Sequence, residues 1–300
     1  MVVLLAGGTG GAKLARGLLD EVDAELTVIA NTADDVEIYG AYVSPDPDLV
    51  TFWLADRIDE RGWGLEGDTF NVMAGLREMG DDVWFNVGDR DLALCLRRAR
   101  RLADGARLTE AIDEARRALG VPARVLPMCD QPVRTFVHVG GRRRPFQEFM
   151  VRERSARPID DVELHGIEAA WPTPEVVEAI ETADTIVIGP SNPVISIGPI
   201  LAVPGVRTAL DTARAPVVAV SPLVRGAVLK GPTDTFMQWA GQPLSSAGIA
   251  AHYAGLLDGL VADERADEVP TLVTDVEMAD AAGRRRLARD VLGFASALAG

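Results

Sequence analysis

Four of the five residues from Gly7 to Gly11 (GGTGG) are glycine, set between the apolar run Val2–Ala6 and an amphipathic run that ends near Leu19. Glycines let the backbone approach an anion closely. A helix that starts there turns N–H groups and the positive end of its dipole towards that anion. Thr9 adds a hydroxyl and Lys13 a charge, so the stretch reads as a phosphate or diphosphate site. The alternative is a tight strand-to-helix turn that needs positive φ. It is not a Walker A loop, because Leu14 occupies the hydroxyl position after Lys13. Nor is it a complete dinucleotide fingerprint: Lys13 stands where the third glycine would be, and the second apolar run ends in Asn31 rather than in Asp or Glu.

The segment NTADDVEIYGAYVSPDPD carries Asp34, Asp35, Asp46 and Asp48. Carboxylates join a phosphate site through Mg²⁺, which takes one or two of them together with phosphate oxygens. The cluster therefore points to metal-assisted phosphoryl chemistry, against the plainer reading of a solvated acidic loop. In GDRD, Arg90 stands between Asp89 and Asp91. It either shapes its own loop by ion pairing or offers a planar fork to an anion or a ring edge. Ser191 and Asn192 lie between prolines in GPSNP, ahead of a helix that begins near Val194, where Asn192 is an N-cap or a purine-edge partner. Arg225 and Lys230 in SPLVRGAVLKGP stay open in the same way. His138, His165 and His252 share no spacing and read as structural, and no Ser-His-Asp arrangement emerges.

The elements that must hold these residues alternate. Val2–Ala6 and the run ending at Asn31, with a helix over about Gly11–Leu19 between them, make a β-α-β unit. Helical spacing over Asp48–Asp59 and Asp68–Gly80 puts Asp48 and Asp68 at capping positions. DVWFNV reads as a third strand, followed by helices from Leu92 to about Leu102 and over Thr109–Leu119. ARVLPM and VRTFVHVGGRRRPFQEFMV then read as strands with a Gly140-Gly141 turn. This break in the alternation predicts a small β-containing insertion or flap at about 121–167, within a single α/β domain over 1–300. Alternation resumes with TIVIGPSNP, APVVAVSPLV, DGLVAD and TLVTD, and a C-terminal amphipathic helix packs on the sheet. The expected fold class is Rossmann-like α/β, a mainly parallel sheet flanked by helices. Ligands of such sheets bind beyond the carboxyl ends of the strands, which is where all five polar segments fall.

A formal net charge of −15 and a pI of about 4.7 disfavour nucleic acid and anionic membrane surfaces as partners. The excess of acids with little lysine suits a salt-adapted cytoplasm. Cys95 and Cys129 are too few for a disulfide framework and lack metal-ligand spacing. No signal-like segment precedes the first strand and no 18-residue apolar span occurs, so a soluble cytoplasmic protein is expected.

Taken in order, GGTGGAKL, NTADD, SPDPD, WGLEGDTFN, GDRDLA, LPMCDQPV, FQEF, GPSNPVISIGPI and SPLVRG resemble the 2-phospho-L-lactate transferase (CofD-like) family, from about Val3 to Ser246. The resemblance implies an enzyme of coenzyme F-420 biosynthesis. It implies a Mg²⁺-dependent homodimer that moves a 2-phospholactyl, or phosphoenolpyruvyl, group from a guanosine-diphosphate-activated donor to the ribityl hydroxyl of the deazaflavin Fo, releasing GMP. By the same resemblance Asp48 and Arg90 bind Fo. Gly7, Gly8, Thr9, Gly10, Gly11 and Lys13 form the donor-phosphate loop, with Asn31, Ser191 and Asn192 on its nucleotide side. Asp34 or Asp35, together with Asp48, lies on the metal side, and Asp48 also orients the acceptor hydroxyl or takes its proton. Leu49 departs from the family, which commonly has Thr there. Two other readings remain: a nucleotide-sugar-binding regulator of the related fold, and a nicotinamide-dependent oxidoreductase. The intact SPDPD and GDRDLA stand against the first, and the missing third glycine and second-strand acid against the second.

Overall fold

The computed structural model describes residues 1–155 and 158–300. Seven strands make one sheet: β1 (Val2–Ala6), β2 (Leu26–Ala30), β3 (Arg124–Pro127), β4 (Thr185–Ile188), β5 (Val217–Val220), β6 (Gly259–Ala262) and β7 (Thr271–Val273). Their order across the sheet is β7-β6-β5-β4-β1-β2-β3, and every neighbouring pair is parallel. The chain winds outward from β1 in one direction and from β4 in the other, which puts the topological switch point between β1 and β4. β1 and β2 are buried throughout, as a parallel sheet covered on both faces requires. Along β1, Val3 and Leu5 enter one core with Ile186 and Ile188, while Leu4 enters the other with Val28 and Val187.

The second of these cores is roofed by α1 (Gly8–Val22), α2 (Pro45–Leu54) and the long C-terminal helix Ala281–Ala299, through Leu14, Val50 and Leu287 among others. The first is roofed by Pro174–Glu181, Val206–Thr212 and Ser246–His252. An antiparallel sheet of Arg142–Pro145, Arg134–Val139 and Asp161–His165 stands apart. It holds its own cluster with Phe149 packed edge-on to Phe236, ring centroids 6.3 Å apart. A further cluster joins the hairpin Val36–Val43 to α3 (Asn71–Glu78) and α4 (Asp89–Ala103), with Met73, Leu92 and Cys95 inside it. Among the described residues no single helix is long and apolar enough to cross a membrane.

Three local expectations are corrected. DVWFNV is not a strand; Trp84 and Phe85 line a cavity instead of entering a sheet. Helix α2 begins at Pro45, whose missing N–H costs nothing in a first turn, so Asp48 lies inside the helix rather than capping it. The caps of α3 and α4 are exchanged. The Asp68 carboxylate accepts from the backbone N–H of Arg90 (2.9 Å) and Asp91 (3.0 Å) at the start of α4. Asp89 accepts from those of Asn71 (3.0 Å) and Val72 (2.9 Å) at the start of α3. Each acid satisfies donors that the other helix leaves orphaned.

Candidate functional site

The loops after β1 and β4 meet at the switch point. Gly8 holds φ +62°, a conformation that favours glycine, and its N–H donates to Asp46 Oδ1 at 2.6 Å. A Cβ on Gly10 would overlap the carbonyl oxygen of Pro190, so the two loops can touch only because that position is glycine. The Gly7 N–H donates to Ser191 Oγ at 3.2 Å. A cavity of about 530 Å³ opens over these loops, bordered by Gly7, Gly8, Thr9, Gly10 and Lys13 from the first and by Ser191 and Asn192 from the second. Gly11 and Asn31 are buried behind it and do not border it.

Asn31 does a different job. Its amide donates to Asp46 Oδ2 at 3.0 Å and its carbonyl accepts from the Ala33 N–H at 2.9 Å, so it sets the Asp46 carboxylate at the head of α1. Helix α1 has no acid in its own first turn, and Asp46 supplies the negative charge its dipole favours there. Burial pushes the Asp46 carboxyl up to about 6, against the hydrogen bonds from Gly8 and Asn31. Asp34 borders the same cavity, and its Oδ1 is buried without a hydrogen-bond partner. Burial, and then the charge of Asp46, hold Asp34 well above the usual carboxylate range. Two such carboxylates on one cavity wall ask for a shared proton or a cation.

The other carboxylates point elsewhere. Asp35 accepts from Ser44 Oγ at 2.8 Å behind the cavity, and burial pushes it up to about 7 despite the nearby Arg134. Asp48 makes a two-pronged ion pair with Arg98, whose Nη1 lies 3.0 Å from Asp48 Oδ2 and 3.1 Å from the Tyr42 carbonyl. The expected metal-side carboxylates Asp34, Asp35 and Asp48 are therefore not drawn to one point. Among the described residues the one acid-and-thiol trio with ligand atoms within 4.8 Å of one another is Asp48, Asp91 and Cys95. Asp46, which borders the cavity beside Asp34, was absent from the expected set.

Lys13 Nζ donates to the Met278 carbonyl at 3.1 Å; burial lowers its pKa, helped by Arg284 and Lys230. Asn192 is an N-cap, its carbonyl accepting from Val194 N–H (2.9 Å) and Ile195 N–H (3.2 Å). Its NH₂ stays on the cavity side, 3.4 Å from Thr233 Oγ1.

A second cavity, of about 430 Å³, shares Pro45 and Asp46 with the first. Its walls are aromatic, with Phe52, Trp63, Trp84 and Phe85, and its polar groups include Asp48 and Asp91. The first turn of α2 is thus the partition. Residues two apart on a helix face different ways, and Asp48 serves the second cavity alone. On α4, Asp91, Cys95 and Arg98 follow at spacings of four and three and share the face that meets Asp48. Asp91 has no cation partner among the described residues; burial, then the Asp48 charge, push it up to about 7. Arg90 borders neither cavity; its Nη1 donates to the Glu66 carbonyl at 3.1 Å and so ties α4 to the loop carrying Trp63. The Asp91-x₃-Cys95-x₂-Arg98 spacing was readable as a polar seam on an otherwise apolar helix face, and neither Asp91 nor Arg98 stood in the expected site. A charged, glycine-floored cavity that abuts an aromatic one suits transfer from a phosphorylated donor to a flat acceptor.

Against known proteins, the profile of the family described as "2-phospho-L-lactate transferase CofD" matches residues 2–292. A 2-phospho-L-lactate transferase from Methanosarcina mazei is 40% identical, over 89% of this chain and 89% of that protein. A phosphoenolpyruvate transferase from Streptomyces griseus is 41% identical, over 95% and 97%. Among solved structures, a UPF0052-family protein from Bacillus halodurans shares the fold with a TM-score of 0.63 over 97% of this chain and 98% of that one, at 20% identity.

Proposed function

The chain belongs to the CofD family of transferases, and on that premise we propose that it moves a 2-phospholactyl or phosphoenolpyruvyl group from a guanosine-diphosphate-activated donor to the ribityl hydroxyl of Fo in coenzyme F-420 biosynthesis. The observation that carries this reading is the junction of the two cavities at Pro45 and Asp46. The diphosphate sits over the glycine loop and Lys13, and the tricyclic acceptor lies among Trp63, Trp84 and Phe85. The hydroxyl oxygen attacks the phosphorus of the group to be transferred, and the bond from that phosphorus to the bridging oxygen breaks as GMP leaves with that oxygen. Positioning and charge neutralisation supply most of the acceleration in such a step.

The chemistry of the donor wall fits a divalent cation. Asp34 Oδ1 is buried without a partner, and burial holds both Asp34 and Asp46 above their usual range, Asp34 further raised by the Asp46 charge. Asp34 and Asp46 would hold it, and magnesium bound there would neutralise the donor phosphates. On the acceptor side the charge of Asp48 is committed to Arg98, so Asp48 orients the hydroxyl. Asp91, without a cation, takes the proton. Arg90 serves the acceptor by fixing the Trp63 wall through Glu66.

Incubating the protein with Fo, each activated guanosine donor and Mg²⁺, with products weighed by mass spectrometry, tests the proposal. A transferred product with equimolar GMP is expected from one donor or both; no product from either overturns it. A thermal-shift panel separates the regulator reading: stabilisation by GDP and Fo supports the transferase, and stabilisation by UDP-sugars alone the regulator.

A further inference from the structure

Lysine occurs at only two positions, 13 and 230, among 30 basic residues. Both border the glycine-loop cavity. Elsewhere this chain uses arginine for its positive charges, so the compact ammonium is confined to the one place where a phosphate is expected. Lys13 is fixed on α1. Lys230 comes from the segment after β5, just past a small hairpin of Leu223–Val224 with Ala227–Val228. Acids outnumber bases 45 to 30, yet among the described residues Lys230 makes no ion pair and no hydrogen bond. Its charge is felt at Lys13, whose pKa it helps to lower. Its Nζ would stand 3.3 Å from a Cβ on Gly62, beside the loop that carries Trp63. Its neighbour Leu229 is 65% exposed and also borders the cavity.

We propose that Lys230 is a second phosphate-binding residue, which closes on the donor diphosphate from the side opposite the glycine loop and holds the phosphoryl group nearer the acceptor cavity. The proposal rests on the donor reading above. Two ammonium groups on one cavity repel until an anion lies between them, and a diphosphate relieves both at once. A lysine suits this task because it binds as a mobile point charge, where arginine demands a fixed planar partner.

The scarcity of lysine makes the test direct. The intact protein offers three amines to an acylating reagent: Lys13, Lys230 and the Met1 α-amino group, which Asp184 holds. With Mg²⁺ and GDP at about ten times its Kd, about a tenth of the sites stay free, so acylation of both lysines should slow roughly tenfold while Met1 is unchanged. Lys230→Met should raise the donor KM about tenfold, the loss of one charge-assisted phosphate contact. The acceptor KM should be unmoved and Lys230→Arg should recover part of the loss. Protection of Lys13 alone, or an unchanged donor KM in Lys230→Met, overturns the role of Lys230 and leaves the glycine-loop reading standing. If GDP binds by calorimetry and protects neither lysine, both readings fall.

Discussion

Removing the Arg98 guanidinium tests the architecture of the acceptor side. Arg98 is 2% exposed, and its side chain makes both prongs of the contact to Asp48 and a bond to the Tyr42 carbonyl. Arg98→Met fills much of the same volume but leaves the Asp48 carboxylate buried without a cation, on a face that also carries Asp91. Breaking one side of a buried pair costs about 3–5 kcal/mol. With a urea slope of about 3 kcal/mol/M for a chain of this length, the unfolding midpoint should fall by about 1–1.7 M. Adding Asp48→Asn removes the stranded charge, so the double variant should unfold closer to wild type than Arg98→Met does, a coupling of up to about 3 kcal/mol. Urea unfolding followed by tryptophan fluorescence measures wild type, Arg98→Met, Asp48→Asn and the double variant. The reasoning fails if Arg98→Met and wild type unfold together, or if the double variant is no more stable than Arg98→Met. GDP should still raise the melting temperature of Arg98→Met, because Arg98 does not border the donor cavity.

Asp91→Asn should lower kcat by about 10²–10⁴, the usual worth of a general base, and flatten the acid limb of the pH–rate profile while Fo still binds in a fluorescence titration; near-full turnover would remove Asp91 from the mechanism. Arg90→Ala should weaken Fo binding by releasing the Trp63 loop at Glu66, with donor affinity kept, and an unaltered Fo titration would refute the tie. The fold should also lose stability as pH rises through the range where buried carboxyls ionise. Asp35, at about 7, keeps a proton in the fold between about pH 4 and 7, where the unfolded chain has lost it, so its contribution falls across that window and is level above it. The difference in urea midpoint between pH 5 and pH 8 should shrink in Asp35→Asn; equal pH dependence in the two proteins would count against the buried-acid account.

Six of the seven sheet strands were readable in the sequence, the inner ones because a parallel strand covered on both faces is almost wholly apolar, as in VVLLA and TIVI, whereas ARVLPM, read as part of the insertion, forms the edge strand β3 beside β2. DVWFNV carried a similar signal for another reason: its aromatic residues face a cavity, and period and hydropathy cannot tell a cavity wall from a sheet. The glycine loop was legible too, since Gly8 needs its positive φ and Gly10 its missing side chain. Which aspartate faced which cavity was not. Asp46 and Asp48 differ by two positions, and their division depends on where α2 begins. Pro45 fixes that start, a boundary placed three residues too late by taking Asp48 as the cap. Asp91 and Arg98 stayed hidden because their meaning lies in a long-range contact with α2, which no local pattern records. The exchange of caps between Asp68 and Asp89 is of the same kind.

The partition formed by the first turn of α2 has a thermodynamic corollary. One short piece of backbone carries a side chain for each chamber, so whatever shifts it when one compound is seated also resets the affinity for the other. Reciprocity makes the factor the same in both directions. Titrating one compound at fixed levels of the other would measure that coupling directly.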